Sequence, residues 1–393
     1  MTKTQSQPKN WQEEKIGNLL LGSKRQKKVK KSEYLSAGLY PIIDQGDDII
    51  GGYTDDESNL FNGDLPMTVF GDHTRRFKYI DFPFAIGADG TQLLAPKEGM
   101  DRRFFYYALK NAPLKNYGYQ RHFKYLKDTK ISFPTKEEEQ REISDILGSY
   151  DNLIENNTKR IKILEQIAQA IYRKMIASQE SKKWEVVALR NVIDSYMGGG
   201  WGKEEPDEDH LSPAYVIRGT DIPKTSKGDI SNCPLRYHTL SNLSTRALRD
   251  GDLVFEVSGG SKGQPVGRSL LITSNLLSQF KQNVICASFC KLIRPNQNKI
   301  SPLQLYEQIL SWYANGVIEK YQVQSTGISN FKFETFISEE KVILPPEKIR
   351  GKFDHLVYPL FNEIYSLGNQ NQNLRQARDL LLPKLVTGEI EVK

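Results

Sequence analysis

The sequence predicts a mixed α/β (α+β) protein, with two similar globular domains separated by long helices that form an antiparallel, coiled-coil-like pair. Three observations carry this. The first is a frame that occurs twice. Trp11 and Trp184 open the copies; Gly63-Asp64-Leu65 and Gly251-Asp252-Leu253 follow; Phe123-Lys124-Tyr125 and Phe331-Lys332-Phe333 come next; and Phe133-Pro134 and Leu344-Pro345 close them. The second is a long helical pattern after each copy. The third is that Leu164 to Met175 aligns without gaps on Leu374 to Leu385.

In the first copy, PIIDQGDDIIGGY, LPMTVFG and YIDFPFAIG are apolar runs punctuated by Gly, Asp and Pro, the signature of short strands. Asp101 to Lys110 predicts a short helix with Phe104, Phe105 and Ala108 on one face. A basic, aromatic segment follows, NYGYQRHFKYLKDTK.

After Pro134 the chain becomes rich in Glu, Gln, Lys, Ile and Leu. Thr135 is placed to cap a helix, with Glu138 completing a capping box. Gly148 marks an expected break between a short helix and a long one. In the long one Ile161, Leu164, Ala168, Ile171 and Met175 recur in steps of three and four, the seam of a helix lying along another helix. From Tyr150 to Ser178 it would run about 43 Å at 1.5 Å per residue. SQESKK, Ser178 to Lys183, is a polar linker.

The second copy repeats the reading. YVIRGTDI, DLVFEV, SLLITS and VICASFCKLI are strand candidates, and Pro302 to Tyr313 is a helix in the same relative place as the first copy's. The last helical region starts near Glu347. Its seam is Ile364, Leu367, Leu374, Leu381 and Leu385 (Leu360 falls on the same pattern), with Asn371 and Arg378 as polar interruptions of the kind that fix register. Pro383 should end or kink it. Neither seam can stay in water, so the simplest arrangement packs the two helices together. The alternative packs each on its own domain.

Composition narrows the function. The 393 residues suffice for two or more domains, and 38% hydrophobic with 26% charged residues fits a globular class. The net charge of +6 does not by itself prove a polyanionic partner. SKRQKKVKK, Ser23 to Lys31, is a basic run, most simply a solvated loop. Three cysteines and no secretory core suggest a reducing compartment, and the expected location is cytoplasmic. Cys286 and Cys290 lie in an apolar run and read as buried structural thiols rather than a metal pair. No metal site is expected.

A catalytic centre is hard to place. SGGSKGQPVGRS, from Ser258, lacks the spacing of a phosphate-cradling loop. Leu344-Pro345-Pro346 lacks the polar residue with which amino-methyltransferases hold their target amine. Pro206-Asp207 has no acid and lysine at nuclease spacing, because Asp221 and Lys224 stand one residue too far apart. The five histidines form no paired ligand set.

Binding chemistry is better represented. The first copy offers His73, Thr74, Arg75, Arg76 and Lys78, then Gln120, Arg121, His122 and Lys124. The second offers Lys203 in GGGWGK, Arg218, then Ser261, Lys262, Gln264 and Arg268 in SGGSKGQPVGR, and Thr326, Asn330 and Lys332 in STGISNFK. Arg and Gln can pair bidentately with guanine and adenine edges, while Lys, Ser, Thr and glycine-rich backbone hold phosphates. The aromatics of the Phe-Lys-aromatic triplets read as core.

The order of FPTKEEEQREISDILGSYDNLIENN, YVIRGTDI, DGDLVF with SGGSKGQPVGR, and LLLPKLVTGEIEV resembles the specificity (S) subunits of Type I restriction–modification systems over the whole chain. LPPEKIRGKF departs from the pattern, lacking a counterpart of Glu139-Gln140. The resemblance implies a non-catalytic DNA-recognition subunit. Residues 1–135 and 181–346 would be target recognition domains, each reading half of a bipartite double-stranded DNA site. Residues 136–180 and 347–393 would be helical spacers that set the gap and dock two methyltransferase (M) subunits. Restriction (R) subunits would join the full complex. S-adenosylmethionine, ATP and Mg²⁺ would belong to those partners, with no cofactor in this chain. The rival readings are a DNA methyltransferase or nuclease with diverged motifs, and a helical protein-binding scaffold.

Overall fold

The computed structural model describes residues 10–22, 26–116, 118, 120–259, 265–325 and 328–392. The ends of each module pair as antiparallel strands. Trp11–Lys15 runs against Lys130–Pro134, and Glu185–Ala188 against Lys341–Leu344. The twice-written Trp and apolar-Pro signals therefore mark the clasp that closes each module. The chain divides into two compact units. One comprises the described residues up to Asn152 together with those from Arg375, and the other is Leu153–Leu374.

In the first module Tyr40–Ile43 pairs antiparallel with Gly52–Thr54 and parallel with Ala85–Ile86. The second repeats that arrangement: Ser212–Ile217 lies antiparallel to Leu235–His238 and parallel to Asn283–Cys286. A second sheet centres on Met67–Gly71, flanked by Phe77–Ile80 and Thr91–Leu94. Its counterpart centres on Leu253–Glu256, flanked by Ser269–Leu271 and Cys290–Pro295, and adds the strand Ile193–Gly198. VICASFCKLI is two strands, not one, because the chain turns between Cys286 and Cys290. The Gly-Asp-Leu steps enter the central strands of these sheets.

Each module's main helix is capped by a side chain. Asp101 accepts a hydrogen bond from the Phe104 amide at 2.7 Å ahead of Arg102–Asn111. Ser301 accepts from the Leu303 amide at 3.2 Å ahead of Pro302–Ala314. Phe104 and Phe105 are fully buried in the first core and Leu305 and Ile309 in the second, each side chain worth roughly 1.5–3 kcal/mol of burial.

The two long helices are Glu137–Ile176 and Glu347–Val386, 40 residues each. They pack antiparallel in both units. Within the first, Arg378 pairs with Asp151, and Ile143 and Leu147 share a core with Leu382, Leu385 and Val386. Within the second, Arg160 pairs with Glu363 at 2.7 Å, and the Asn371 amide reaches the Ile154 carbonyl and Thr158 hydroxyl at 3.4 Å. Asn371 and Arg378 thus reach across to the partner helix, the kind of contact by which polar residues in an apolar seam can specify register. Ile161, Ala168, Ile364, Leu367 and Leu385 are buried; Leu164, Ile171, Met175, Leu374 and Leu381 are half-buried. The seam is shared between the partner helix and the module cores.

Three helix expectations are corrected. Gly148 breaks nothing; the helix runs through it, and a Cβ there would stand 2.3 Å from the Arg103 guanidinium. Arg103 instead donates to the Gly148 carbonyl at 3.1 Å and to Asn152 at 2.7 Å, so the glycine admits an arginine from the module. Thr135 is not the cap, because the helix begins at Glu137 and the Thr135 amide donates to the Asn10 carbonyl. Pro383 does not end the second helix, which continues to Val386 and stops at Gly388, whose φ of 75° suits only the left-handed region.

The cysteines are buried free thiols, and burial pushes Cys233 and Cys286 up to about 12. Among the described residues no three His, Cys, Asp or Glu are placed to hold a metal ion, and no helix is long and apolar enough to cross a membrane.

Candidate nucleic-acid interface

In the first module the turn after Met67–Gly71 carries His73, Thr74, Arg75 and Arg76. The Arg75 amide donates to the Gly71 carbonyl at 2.7 Å, and Arg75 takes a φ of 58°. Gln45 braces the turn from a neighbouring loop. Its side chain accepts from the His73 amide at 3.2 Å, and its carbonyl accepts from the Thr74 hydroxyl at 2.7 Å. His73, Thr74 and Arg76 stay exposed, with Arg76 paired to exposed Asp47 at 2.5 Å.

The second basic segment of this module comes to the same place. The Asp72 carbonyl accepts from the His122 amide at 3.1 Å, and the Asp72 carboxylate accepts from the Phe123 amide at 2.7 Å. Asp72 thereby joins the turn at 73–76 to exposed Gln120, Arg121 and Lys124. Gln120 accepts from the Tyr125 hydroxyl at 2.5 Å. Lys28 stands within electrostatic range of Arg121, Asp72 and Asp89, and burial is the main cause that pulls its ammonium below the usual lysine value.

Two expected contacts of this module are internal. His122 is fully buried, with Nδ1 at 2.9 Å from the Asp72 carbonyl oxygen. Lys78 is 7% exposed and donates to the backbone carbonyls of Asp44 at 2.7 Å, Asp48, and Ile49 at 3.4 Å. Burial pulls its ammonium down while Asp44 and Asp48 oppose the shift. Lys78 is the pin of the loop that carries Gln45 and Asp47. It sits in a strand whose alternate residues, Lys78 and Ile80, face inward.

In the second module two sequence-distant loops meet as a small sheet. Gln322–Ser325 and Ile328–Phe331 pair antiparallel, and Ser258–Gly259 adds to the latter. The Ser258 hydroxyl donates to exposed Asn330 at 2.9 Å. Exposed Lys332 follows, flanked by buried Phe331 and Phe333. Ser261, Lys262, Gln264 and Thr326 lie outside the described residues.

Arg268 is corrected to a structural role. Its guanidinium meets the Glu256 carboxylate in two hydrogen bonds, at 2.8 and 2.6 Å, with Glu256 only 2% exposed. The hydrogen bonds to Glu256 hold its pKa above the usual arginine value. Arg218 is likewise occupied, by Asp221 at 2.8 Å in both contacts and by the Asn232 carbonyl at 2.9 Å. That pair also accounts for Asp221. Lys203 stays exposed beside Asp207 at 3.3 Å, its backbone paired with Tyr237.

Sequence reasoning did not single out Gln45 or Lys291; Lys28 falls in the basic run Ser23 to Lys31 and exposed Trp201 in GGGWGK, both noted from the sequence. Lys291 lies over the Tyr196 and Phe333 rings, and Arg236 over Trp201 at 4.7 Å from its centroid. The turn residues of DQGDD were the available signal for Gln45.

Residues 8–166 match the family described as the Type I restriction modification DNA specificity domain. That segment carries the whole first module and the start of the first long helix. It is 26% identical over 339 residues to the Type I restriction enzyme MjaIX specificity subunit of Methanocaldococcus jannaschii, covering 77% of this chain and 72% of that one. It is 24% identical over 288 residues to the putative MjaX specificity subunit of the same organism, spanning 68% of this chain but only 61% of that relative, less than two thirds of its length. The crystal structure of a Type-I restriction-modification system S subunit from M. genitalium shares the fold of this chain, with a TM-score of 0.58 over 98% of each chain at 16% identity. Specificity subunits are in general non-catalytic.

Proposed function

We propose that this chain is a specificity subunit that reads a bipartite double-stranded DNA site, each module contacting one half. The observation that carries the reading is the duplicated scaffold, which presents in each module a polar loop surface built from sequence-distant segments. His73, Thr74, Arg75, Arg76, Gln120, Arg121 and Lys124 are the proposed contacts of the first module. Lys203, Ser261, Lys262, Gln264, Thr326, Asn330 and Lys332 are those of the second. The long helices would set the gap between half-sites and dock two methyltransferase subunits, with restriction subunits joining the full complex. Each helix is about 60 Å long at 1.5 Å per residue, and one DNA turn is about 34–36 Å, so the length is of the order a spacer needs. The partners would hold S-adenosylmethionine, ATP and Mg²⁺.

The test is mapping of methylated bases in a host carrying the whole system. A split site is expected. Arg121→Ala or Gln120→Ala should relax the first half only, at about 1–3 kcal/mol per bidentate contact. DNA binding should weaken steeply with salt. A change in both halves from either substitution, or DNA binding indifferent to salt, overturns the reading.

A further inference from the structure

The contact between main helix and long helices differs between the modules. Aligning the caps Asp101 and Ser301 places Tyr107 on Glu307. In the first module the Tyr107 hydroxyl donates to Asp151 at 2.7 Å, and the Arg378 guanidinium pairs with the same carboxylate. The ungapped alignment of Leu164–Met175 on Leu374–Leu385 places Ala168 where Arg378 stands. The second module therefore carries a carboxylate on the main helix and an alanine, not an arginine, at the aligned position of the long helix; Arg173, five residues on, is exposed.

Glu307 is 2% exposed, and its Oε2 has no hydrogen-bond partner among the described residues. It lines a cavity of about 260 Å³ together with Glu165, Gln169, Tyr306, Tyr313 and Phe361, all within the second unit. Glu165 brings a second carboxylate, and the aromatic rings suit a flat cation. Arg268, the cation that also lines the cavity, is engaged by Glu256. An unpartnered buried carboxylate is costly, and a planar, five-donor cation satisfies it better than water does.

We propose that this cavity is a guanidinium site, filled by an arginine side chain of a partner polypeptide. The occupant's source rests on the reading above, that the subunit works in an assembly. The commitment to arginine rests on the first module, where the aligned long-helix position is Arg378, paired with the carboxylate that the main-helix Tyr107 also binds. Burial first, then Glu165, push the Glu307 carboxyl up to about 8, with Arg173 opposing. The titratable and charged neighbours are Glu165, Tyr172 and Arg173 on the first long helix and Tyr306 and Tyr313 on its own helix, with Lys227 and Tyr365 (on the second long helix) acting on Glu165. Arg268 immediately precedes the strand Ser269–Leu271, and Phe361 on the second long helix does not titrate. A guanidinium favours the ionised form, so binding should strengthen as pH rises toward 8 and release a proton.

N-acetylarginine amide is titrated into the full chain at pH 7 and 8.5 and followed by NMR, with N-acetyllysine amide as control. Saturable binding that favours arginine is expected, weakened about tenfold or more by Glu307→Gln through loss of a charge-assisted pair. Gln169→Arg should abolish binding and raise Tm, because its own guanidinium fills the cavity. Absence of saturable arginine-amide binding, or binding unchanged by Glu307→Gln, overturns the proposal. Should Glu307→Gln fail to fold, Glu165→Gln serves as the same test, because it removes the other carboxylate from a half-buried position. Salt-dependent DNA binding is measured on the same samples. Its loss from the wild-type chain beside intact arginine-amide binding counts against the DNA reading and leaves the cavity standing.

Discussion

The two modules share one scaffold and secure their loops by different means. In the first, the turn at 73–76 is short, and a single buried ammonium, Lys78, holds the adjacent loop by three carbonyls. In the second, the corresponding connection between Leu253–Glu256 and Ser269–Leu271 is longer, contributes a strand to an added three-stranded sheet, and is stapled at its base by Arg268 and Glu256. The strand clasp, the mixed three-stranded sheet and the capped main helix are common to both. Such a division lets the contacting surface change while the frame, with its closing signals, stays fixed.

The largest effect should come from the staple of the second module. Arg268→Ala leaves the Glu256 carboxylate buried without its cation and should destabilise the chain by about 3–5 kcal/mol, read by chemical denaturation. Glu256→Leu with Arg268→Met should recover most of that loss. If the single variant is as stable as wild type, the pair is not what holds this loop.

Next is pH. The folded Glu307 carboxyl sits near 8, above its ordinary value, so its contribution to stability is fully present below the usual carboxylate range and is lost as pH rises through 8. Glu307→Gln removes that dependence. Its stability relative to wild type should therefore increase between pH 5 and 8, by an amount on the order of a few kcal/mol. No such divergence is expected for Tyr107→Phe at the matching position of the first module, where only a hydrogen bond to Asp151 is lost. Thermal melts across the range separate the two.

Lys78→Met tests the ammonium pin of the first module. It frees carbonyls that are otherwise satisfied inside the protein and should cost about 1–3 kcal/mol. Because the loop it holds carries Gln45, which braces His73 and Thr74, discrimination at the first half-site should fall while the second is unchanged. Equal loss at both halves would mean that Lys78 supports the whole chain rather than one reader.

The frame was legible because it is written in periodicity and in punctuation that recurs. The Trp and apolar-Pro signals are paired strands, Asp101 does cap a helix, and Asn371 and Arg378 do bond across to the partner helix. Lys78, His122 and Arg268 were not legible as internal groups. Whether a cation meets water or a buried acceptor depends on residues far away in sequence: Lys78 on carbonyls some thirty residues earlier, His122 on Asp72, and Arg268 on a glutamate across a strand pair. Gly148 misled for the same reason, since it reads as a helix break until Arg103 is seen against it.

The smallest effect discriminates most finely between bracing and reading. Arg76 and Asp47 are both exposed and paired, and such pairs are worth about 0–1 kcal/mol. Asp47→Ala should leave the denaturation midpoint nearly unmoved. It also removes a negative charge beside the proposed first-module contacts and releases Arg76. Affinity for DNA should therefore rise, and the salt dependence should steepen by up to one further phosphate contact. A neutral pair in the second module, such as Lys203 with Asp207, should behave alike if both surfaces face DNA. If Asp47→Ala strengthens binding and Asp207→Ala does not, the Lys203 loop lies outside the second reading surface, and the contacts of that module narrow to the added sheet and Lys332.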